Sequence, residues 1–365
     1  MEWIGDRIKD LAKNRSLNQQ NIADELAVTR QTVSDWIKGH VPKGIHLIKL
    51  CKLFDVKPDY FFLVPEESGI SLPLHRKRQN AKITQQVQKD AFEIAKEYEV
   101  IFKNEKIPRL LPVMRGSGKS KTNAKNIAYE LRRKSGASDN AVIDYKDIFV
   151  LMESLGINLI VKKFQENIKA YAFYINIHGH RVVFLNSVTS LLDLNFALLH
   201  ETVHAIRDEV KIDDCYAEEE ELFCDSVANY IQFPESYIEL VYNTVKHLQI
   251  ATKVNKLKEF GKQYKHSLFG IVKNIQSYHQ NFKLNIGGAD TNLKKTMPTI
   301  GEAIFDTHDS REYVNRLKTI SPVFISIIKH QIDNISDRKL EEILGLDSLL
   351  DAKAVKEELL YSESY

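Results

Sequence analysis

At residues 200–204 the chain reads His200-Glu201-Thr202-Val203-His204, inside an apolar run that extends from Phe196 to Ile206. On a helix, side chains four residues apart share a face, so both histidines can direct a ring nitrogen at one ion. Glu201 would then lie beside that ion, placed to take a proton from an activated water molecule. The stretch predicts the active-site helix of a metal-dependent hydrolase; the alternative is a chance match in a chain with twelve histidines.

A second helix is predicted downstream, over residues 218–234. Its first turn is acidic, beginning at Glu218, and Pro234 ends it. Glu221 and Asp225 are four residues apart, on a face that also carries small residues. Small side chains allow the two helices to approach closely, so Glu221 can complete a zinc site with the two histidines. Asp225 is placed to accept the second ring N–H of a ligand histidine. The sequence thus predicts one zinc ion per chain; the alternative is a solvated acidic face.

Composition places the chain among intracellular globular proteins. It has 365 residues, a formal net charge of +2 and three cysteines, and this length predicts two or three domains. The cysteines are odd in number and not paired in C-x-x-C fashion, which favours a reducing compartment. The N-terminus lacks an apolar signal core and no run approaches eighteen apolar residues, so we expect a cytoplasmic protein without a membrane partner.

The first sixty residues show short apolar periodicities separated by turn-like breaks. Residues 18–26 and 30–38 have the proportions of a helix-turn-helix pair, and Thr29 can cap the second helix. Val33 and Trp36 are expected to pack inward. The positions of this second helix that we expect to be exposed carry side chains of the kinds that read base edges: Arg30, Gln31, Ser34 and Asp35.

This segment resembles the XRE-type (lambda-repressor-like) DNA-binding domains over roughly residues 4–63. The matching stretches are residues 19–39 (QQNIADELAVTRQTVSDWIKG) and 50–61 (LCKLFDVKPDYF). By similarity, Gln19 would contact phosphate and the four exposed side chains would face the major groove. Ile37 departs from the family, which usually has Glu after the Trp. Local charge is even, so we expect a dimer to be needed for firm DNA binding; the alternative is a module for protein contact only.

The middle of the chain has a mixed pattern. A helix is predicted over residues 80–103, with further helices at 123–134 and 145–155 and strands at 157–164, 171–177 and 181–185. The last two strands would form a hairpin whose edge can bind an extended peptide by strand addition. When water attacks the carbonyl of a bound peptide, the carbonyl oxygen becomes negatively charged. Candidates for stabilising this oxyanion are Tyr171, Tyr174, His178 and His180. Residues 115–120 (RGSGKS) lack the first glycine of a phosphate-binding loop and a preceding strand, so we reject nucleotide binding.

Residues 171–174, 184–186, 196–205 and 221–234 together resemble the ImmA/IrrE family of metallopeptidases, whose members cleave transcriptional repressors, often in stress responses. The resemblance covers about residues 110–240. It implies His200, His204 and Glu221 as zinc ligands and Glu201 as general base. The chain departs from the family at residues 202–203, where Thr-Val replaces Leu-Gly, and at 223–224, where Phe-Cys replaces Glu-Ala.

We therefore expect a mainly α protein with a small α+β zinc-peptidase core, an N-terminal all-α helix-turn-helix domain and a helical C-terminal region. The predicted segments are 1–66 for DNA binding, 67–109 as linker and connecting helix, 110–240 as peptidase, and 241–365 as a helical domain of unassigned role. Within the last segment, helices are predicted over 240–262, 267–279, 310–317, 323–335 and 338–344, and a loop over 286–291. The leading hypothesis is a DNA-binding zinc endopeptidase that cleaves a repressor or antitoxin-like protein; the alternative is a non-proteolytic regulator.

Overall fold

A computed structural model divides the chain into two compact units, Met1–Ser68 and Gly69–Tyr365. The residues that the structure describes are 2–3, 5–15, 17–56, 61–63, 70–71, 85–107, 118–166, 168, 170–207, 214–307 and 309–361. Several predicted features lie partly outside them: residues 57–60 of the XRE-like stretch 50–61, most of the first part of the linker segment 67–109, the start of the helix predicted over 80–103, and residues 115–117 of the rejected phosphate loop. None of the described helices combines the length and apolarity needed to span a bilayer.

The described residues of the first unit form four helices and a two-stranded sheet. The helices are α1 (Asp6–Asn14), α2 (Gln19–Leu26), α3 (Arg30–Ile37) and α4 (Gly44–Phe54), and strand β1 (Glu2–Trp3) pairs antiparallel with β2 (Phe62–Leu63). Val33 and Trp36 are buried, as predicted. Gly5 is required where the chain passes α3, because a Cβ there would lie 2.3 Å from the carbonyl oxygen of Trp36.

A four-stranded sheet forms the centre of the second unit. Its strands are β3 (Ile70–Ser71), β4 (Ile157–Lys162), β5 (Ala172–Ile177) and β6 (His180–Asn186), in the order β3-β5-β6-β4. Strands β5 and β6 form the predicted hairpin, while β4 pairs parallel with β6 and β3 pairs antiparallel with the end of β5. The two-residue turn requires positive φ at His178 (49°) and Gly179 (85°), and this matches the twist of the hairpin.

Helices cover both faces of this sheet. They are α5 (Gln85–Phe102), α6 (Lys121–Ser135), α7 (Tyr145–Ser154), α8 (Leu191–Arg207) and α9 (Asp214–Gln232). Successive side chains of a strand point to opposite faces. Tyr174 and Val183 accordingly join a core with α6–α9, whereas Phe173 and Phe184 join a second core with α5 and C-terminal helices. The strands are therefore buried on both faces, and this explains their nearly continuous apolar sequence.

The C-terminal region is helical, as predicted. Its helices are α10 (Glu235–Val245), α11 (Ile250–Tyr264), α12 (Leu268–Tyr278), α13 (Gly287–Lys295), α14 (Ser310–Ile320), α15 (Pro322–His330), α16 (Asp337–Leu344) and α17 (Leu349–Tyr361), with a π-helical turn at Gly301–Phe305 and a 3-10 turn at Ile332–Asn334. The single helix predicted over 240–262 is wrong, because residues 246–249 separate α10 from α11.

The loop predicted at residues 286–291 is also wrong, since α13 begins at Gly287. Buried contacts outweigh the poor helix propensity of its two glycines. Leu293 packs into a core with α10–α12, and the Asp290 carboxylate accepts a hydrogen bond from the main-chain N–H of Leu268 (2.7 Å).

The expected fold class, mainly α with a small α+β core, is confirmed. Residues of α14–α17 share a hydrophobic core with the sheet, and residues of α10–α13 form a core with Leu192 of α8. The contacts yield two compact units where four segments were predicted from the sequence. The finer boundaries at residues 109 and 240 stay predictions.

Candidate metal centre

Helix α8 brings the two histidines of the H-E-x-x-H stretch together. The rings of His200 and His204 are buried, and their Nε2 atoms lie 3.0 Å apart. Helical geometry produces this proximity, because residues four apart stand one above the other on the same face. The surrounding residues of α8 are buried as well, so the helix passes through the core with its histidine face towards α9.

Glu221 of α9 completes a cluster with the two histidines. Its Oε1 lies 3.1 Å from His204 Nε2, and its Oε2 lies 3.4 Å from His200 Nε2. Among the described residues these three are the one group of His, Cys, Asp and Glu side chains close enough together to share an ion. Although burial raises the pKa of Glu221, hydrogen bonds from the two histidines outweigh it and hold the pKa well below its usual range. Glu221 therefore presents an ionised carboxylate.

The donor atoms of this cluster fit a zinc ion. Zinc ligands at about 2.0–2.1 Å in tetrahedral positions are separated from one another by about 3.3 Å, and the observed separations are 3.0, 3.1 and 3.4 Å. Lone pairs that face one another at these distances repel unless a proton or a metal cation lies between them. Two imidazoles and one carboxylate also leave a fourth tetrahedral position for water or substrate, as in catalytic zinc sites.

Asp225 lies one helical turn beyond Glu221, behind the first histidine. Its Oδ1 is 2.9 Å from His200 Nδ1, the ring nitrogen on the side away from the cluster. A carboxylate in this position favours hydrogen on Nδ1 and leaves the lone pair of Nε2 for an ion. The structure brings all four predicted residues together, and their roles towards a metal stay predictions.

Glu201 links α8 to the sheet. It is buried, and its Oε2 accepts a hydrogen bond from the main-chain N–H of Tyr174 in β5 (2.8 Å). Asn186 donates its main-chain N–H to the carbonyl of Tyr171, so the backbone polar groups of Tyr171 point towards β6. In an antiparallel pair this direction alternates from one residue to the next, so those of Tyr174 point away from β6. The predicted general base thus lies at the outer edge of β5.

A buried ion pair behind the cluster was not predicted. Glu220 is 1% exposed although it belongs to a run of four glutamates, and it forms two hydrogen bonds to Arg207 at the end of α8. Lys119, from the rejected phosphate loop, also approaches Glu220 (3.3 Å to Oε2). The available sequence signal was Arg207, which follows the last histidine by three residues and therefore lies on the same helix face.

Cys224 occupies the space between this ion pair and the second histidine. It is fully buried on α9, and its Sγ lies 3.6 Å from His204 Nδ1. Burial raises the pKa of the Cys224 thiol, and the nearby carboxylates of Glu220 and Glu221 raise it further. The side chain is therefore a neutral thiol.

Two of the candidates for oxyanion stabilisation contact α5 or the residues that follow it instead. His178 Nε2 lies 2.9 Å from Glu99 Oε1, and His180 Nε2 lies 3.3 Å from the carbonyl oxygen of Glu105. The Tyr174 side chain is buried in the core between the sheet and α8.

In the first unit, Thr29 caps α3 as predicted, because its hydroxyl accepts a hydrogen bond from the main-chain N–H of Thr32 (3.1 Å). Arg30 and Gln31 are exposed at the start of α3, and Ser34 and Asp35 are partly exposed one turn later. Gln31 Nε2 donates to Asp35 Oδ1 (2.8 Å). Gln19 is partly exposed at the first position of α2.

Comparisons with known proteins match the two units separately. A helix-turn-helix family model matches residues 8–61, and a model described as the IrrE N-terminal-like domain matches residues 152–261, which include His200, His204 and Glu221. The uncharacterized HTH-type transcriptional regulator YgzD of Bacillus subtilis (strain 168) is 33% identical over 64 residues, which span 17% of this chain and 97% of YgzD.

The crystal structure of ComR from Streptococcus suis aligns over 99% of this chain and 94% of ComR, at 8% identity and a TM-score of 0.15. That score supports no conclusion about fold or function. The family matches support a DNA-binding regulatory protein that carries a peptidase-family domain. The chain therefore belongs to the proteins in which an XRE-type helix-turn-helix domain is fused to a domain of the ImmA/IrrE metallopeptidase family.

Proposed function

We propose that this chain is a DNA-binding regulatory zinc endopeptidase that cleaves a transcriptional repressor or a similar partner protein in a stress or mobile-element response. The observation that carries the proposal is the convergence of His200, His204 and Glu221 within 3.0–3.4 Å of one another. A purely structural zinc site usually has four protein ligands, whereas three protein ligands are typical of a catalytic one.

His200, His204 and Glu221 would hold the ion, and Asp225 would orient His200. Zinc, when bound, acidifies a coordinated water and polarises the scissile carbonyl. Glu201 follows a ligand histidine directly, and its carboxylate takes the proton from the attacking water. The same carboxylate then gives that proton to the nitrogen of the leaving amine. The hydrogen bond from Tyr174 to Glu201 keeps the carboxylate at the edge of β5 throughout.

The edge of β5 is suited to hold the substrate backbone. Among the described residues, strand pairing on this edge is limited to β3, which pairs with Asn176 and Ile177. The neighbouring stretch, Ala172 to Tyr174, lies next to Glu201. An extended peptide that adds to this stretch as a strand would pass the general base with its carbonyls in a regular array. An extended segment of a partner protein is therefore the class of substrate that we propose.

The helix-turn-helix unit would bring the peptidase to DNA. Arg30, Gln31, Ser34 and Asp35 of α3 are the side chains that we propose for the major groove, with Gln19 on a phosphate. Dimerisation would supply two such helices for neighbouring half-sites, because the even charge of this unit gives a single copy little electrostatic affinity.

One observation favours the alternative, a non-proteolytic regulator or antitoxin that uses the peptidase fold for protein contact. Glu201 already has a structural role through its hydrogen bond to Tyr174, so its presence alone does not demand catalysis. A substitution that preserves this hydrogen bond but removes the ability of Glu201 to take up a proton separates its structural role from its catalytic role. Glu201→Gln does so, because the amide oxygen of glutamine still accepts a hydrogen bond.

The experiment begins with metal analysis of the purified chain and continues with incubation with each protein encoded beside its gene. New termini are identified by mass spectrometry. We expect zinc at one equivalent in the wild type and in Glu201→Gln, and cleavage by the wild type only. Glu218→Gln is the matched control, because Glu218 is exposed on the same helix as Glu221. Equal cleavage by wild type and Glu201→Gln would exclude the proposed catalysis, and no cleavage by either would favour the alternative.

A further inference from the structure

The two histidines of the cluster have different partners at their second ring nitrogen. His200 Nδ1 faces the carboxylate of Asp225 at 2.9 Å, whereas His204 Nδ1 faces the thiol of Cys224 at 3.6 Å. The thiol in turn donates to Glu220 Oε1 at 3.8 Å, within the range of hydrogen bonds that involve sulfur. Cys224 thus lies between a proposed metal ligand and a buried carboxylate.

The direction of these hydrogen bonds follows from the number of hydrogens available. Glu220 receives two hydrogen bonds from the guanidinium of Arg207, and its carboxylate oxygens act as acceptors. A thiol carries one hydrogen, and Cys224 gives it to Glu220. Its sulfur is then left as an acceptor towards His204, and it can accept only from the tautomer of the neutral imidazole that carries its hydrogen on Nδ1.

With hydrogen on Nδ1, the lone pair of His204 is on Nε2, the nitrogen that lies 3.1 Å from Glu221 Oε1. This is the tautomer that an ion at the cluster requires. We propose that Cys224 is a positioning residue that fixes the tautomer and ring orientation of His204. In this proposal the Arg207–Glu220 pair determines that Cys224 donates its hydrogen to Glu220 and accepts from His204. The inference rests on the proposed metal site and adds a residue to it.

The competing explanation is that Cys224 only fills space between α8 and α9. The two explanations differ in what serine and alanine do at this position. Serine and alanine both leave a small void where the sulfur was, so a filler role predicts that serine is no better than alanine. A hydroxyl can accept from His204 and donate to Glu220, so the positioning role predicts rescue by serine and loss with alanine.

The test measures the protonation of the ring nitrogens by 15N NMR in the metal-free full-length protein, at an alkaline pH where histidines are neutral. All samples carry Glu221→Ala, because Glu221 Oε1 lies 3.1 Å from His204 Nε2 and would compete with Cys224 for the hydrogen of the ring. The signals of His204 are assigned by their loss in His204→Gln. We expect hydrogen on Nδ1 of His204 in this background and with Cys224→Ser added, and a mixture of tautomers with Cys224→Ala added. The signals of His200 serve as an internal reference, because Asp225 is unchanged in all three proteins.

Zinc affinity, measured by competition with a chromophoric chelator, provides a second readout. Loss of an orienting partner of a metal ligand weakens binding by about 10- to 100-fold, and we expect about tenfold for Cys224→Ala with near wild-type affinity for Cys224→Ser. Cys51→Ala is the matched control, because Cys51 is a buried free cysteine in the other unit.

Two results would overturn the inference: hydrogen on Nε2 of His204 in the Glu221→Ala background, or Cys224→Ala with unchanged tautomer and affinity. If Cys224→Ala does not fold, the spectrum of that background and the serine variant still decide the question. A wild-type protein that binds no zinc would refute the proposed function instead. The tautomer of His204 in the metal-free protein remains measurable in that case, so the two failures are distinguishable.

Discussion

The carboxylate of Glu201 accepts a hydrogen bond from the main-chain N–H of Tyr174, and so ties the histidine-bearing helix to the edge of the sheet. Both groups are buried from solvent at this contact. A buried N–H without an acceptor is costly, so this hydrogen bond contributes to stability independently of any catalytic role of Glu201.

The stability of Glu201 variants should therefore separate by hydrogen-bonding capacity. Glu201→Gln keeps an acceptor oxygen, and we expect its free energy of unfolding to lie within about 1 kcal/mol of the wild type. Glu201→Ala leaves the Tyr174 N–H buried without this acceptor, and we expect a loss of about 1–3 kcal/mol. Denaturant unfolding of the metal-free proteins measures both. Equal stability of the two variants would show that the hydrogen bond contributes nothing.

The Arg207–Glu220 pair leads to a second prediction. Arg207→Met removes the main partner of a carboxylate that is 1% exposed and leaves Lys119 as a more distant cation. Breaking a buried ion pair costs up to about 3–5 kcal/mol. The double variant Arg207→Met/Glu220→Leu removes both charges, and we expect it to recover most of that loss, because apolar replacements of buried pairs are often neutral.

Thermal and denaturant unfolding of both variants check this expectation, with Lys256→Met as a control for an exposed ion pair (Lys256 to Glu259, 2.6 Å). The control should change stability by less than about 1 kcal/mol. A double variant as unstable as Arg207→Met would contradict the argument.

Much of the fold follows from periodic patterns in the sequence. Strands β4, β5 and β6 were predicted to within two residues at each end. Helices α2, α3, α7 and α8 lie where the spacing of apolar residues or of the two histidines predicted helices. The convergence of His200, His204 and Glu221 was also predictable, because a four-residue spacing on each of two adjacent helices determines which side chains meet.

Other features depend on contacts between distant parts of the chain, and no local pattern indicates them. Four consecutive glutamates show no periodicity, and the burial of Glu220 is explained by its partners Arg207 and Lys119 in other parts of the chain. Likewise, Gly287 begins a helix against its intrinsic propensity because buried contacts of α13 compensate. Strand β3 is two residues long, too short for an alternating pattern to be recognised.

For the helix-turn-helix unit, we expect Gln31 to contribute to DNA sequence preference. Gln31→Ala should lose about 1–3 kcal/mol of binding free energy on the preferred site, the usual contribution of a good base contact, and little on unrelated DNA. Selection from a random DNA library defines the preferred site, and fluorescence anisotropy at fixed salt measures the binding.

The matched control for this variant is Gln20→Ala on α2. Gln20 donates to Asp24 Oδ1 at 2.8 Å, in the same way that Gln31 donates to Asp35. Both variants therefore lose the same type of intrahelical hydrogen bond. If Gln20→Ala and Gln31→Ala changed sequence preference equally, the assignment of α3 as the base-reading helix would be wrong.

The stability of the second unit should fall on mild acidification because of His266. This side chain is fully buried; the Tyr237 hydroxyl lies 2.6 Å from its Nε2, and its Nδ1 lies 3.2 Å from the carbonyl of Ser267. Burial lowers the pKa of His266 from 6.5 to about 4, although the hydrogen bond to Ser267 opposes this shift. Between those values the unfolded chain binds a proton that the folded chain does not, so protonation favours unfolding.

The free energy of unfolding is therefore unaffected by this group above pH 6.5 and decreases as the pH falls towards 4, by up to about 3 kcal/mol. His266→Gln removes the titrating group and keeps hydrogen-bonding atoms, so the difference in unfolding free energy between wild type and variant should shrink from pH 7.5 to pH 4.5. Denaturant unfolding of both proteins across this range measures it, and a difference that is independent of pH would show that His266 is not the group responsible.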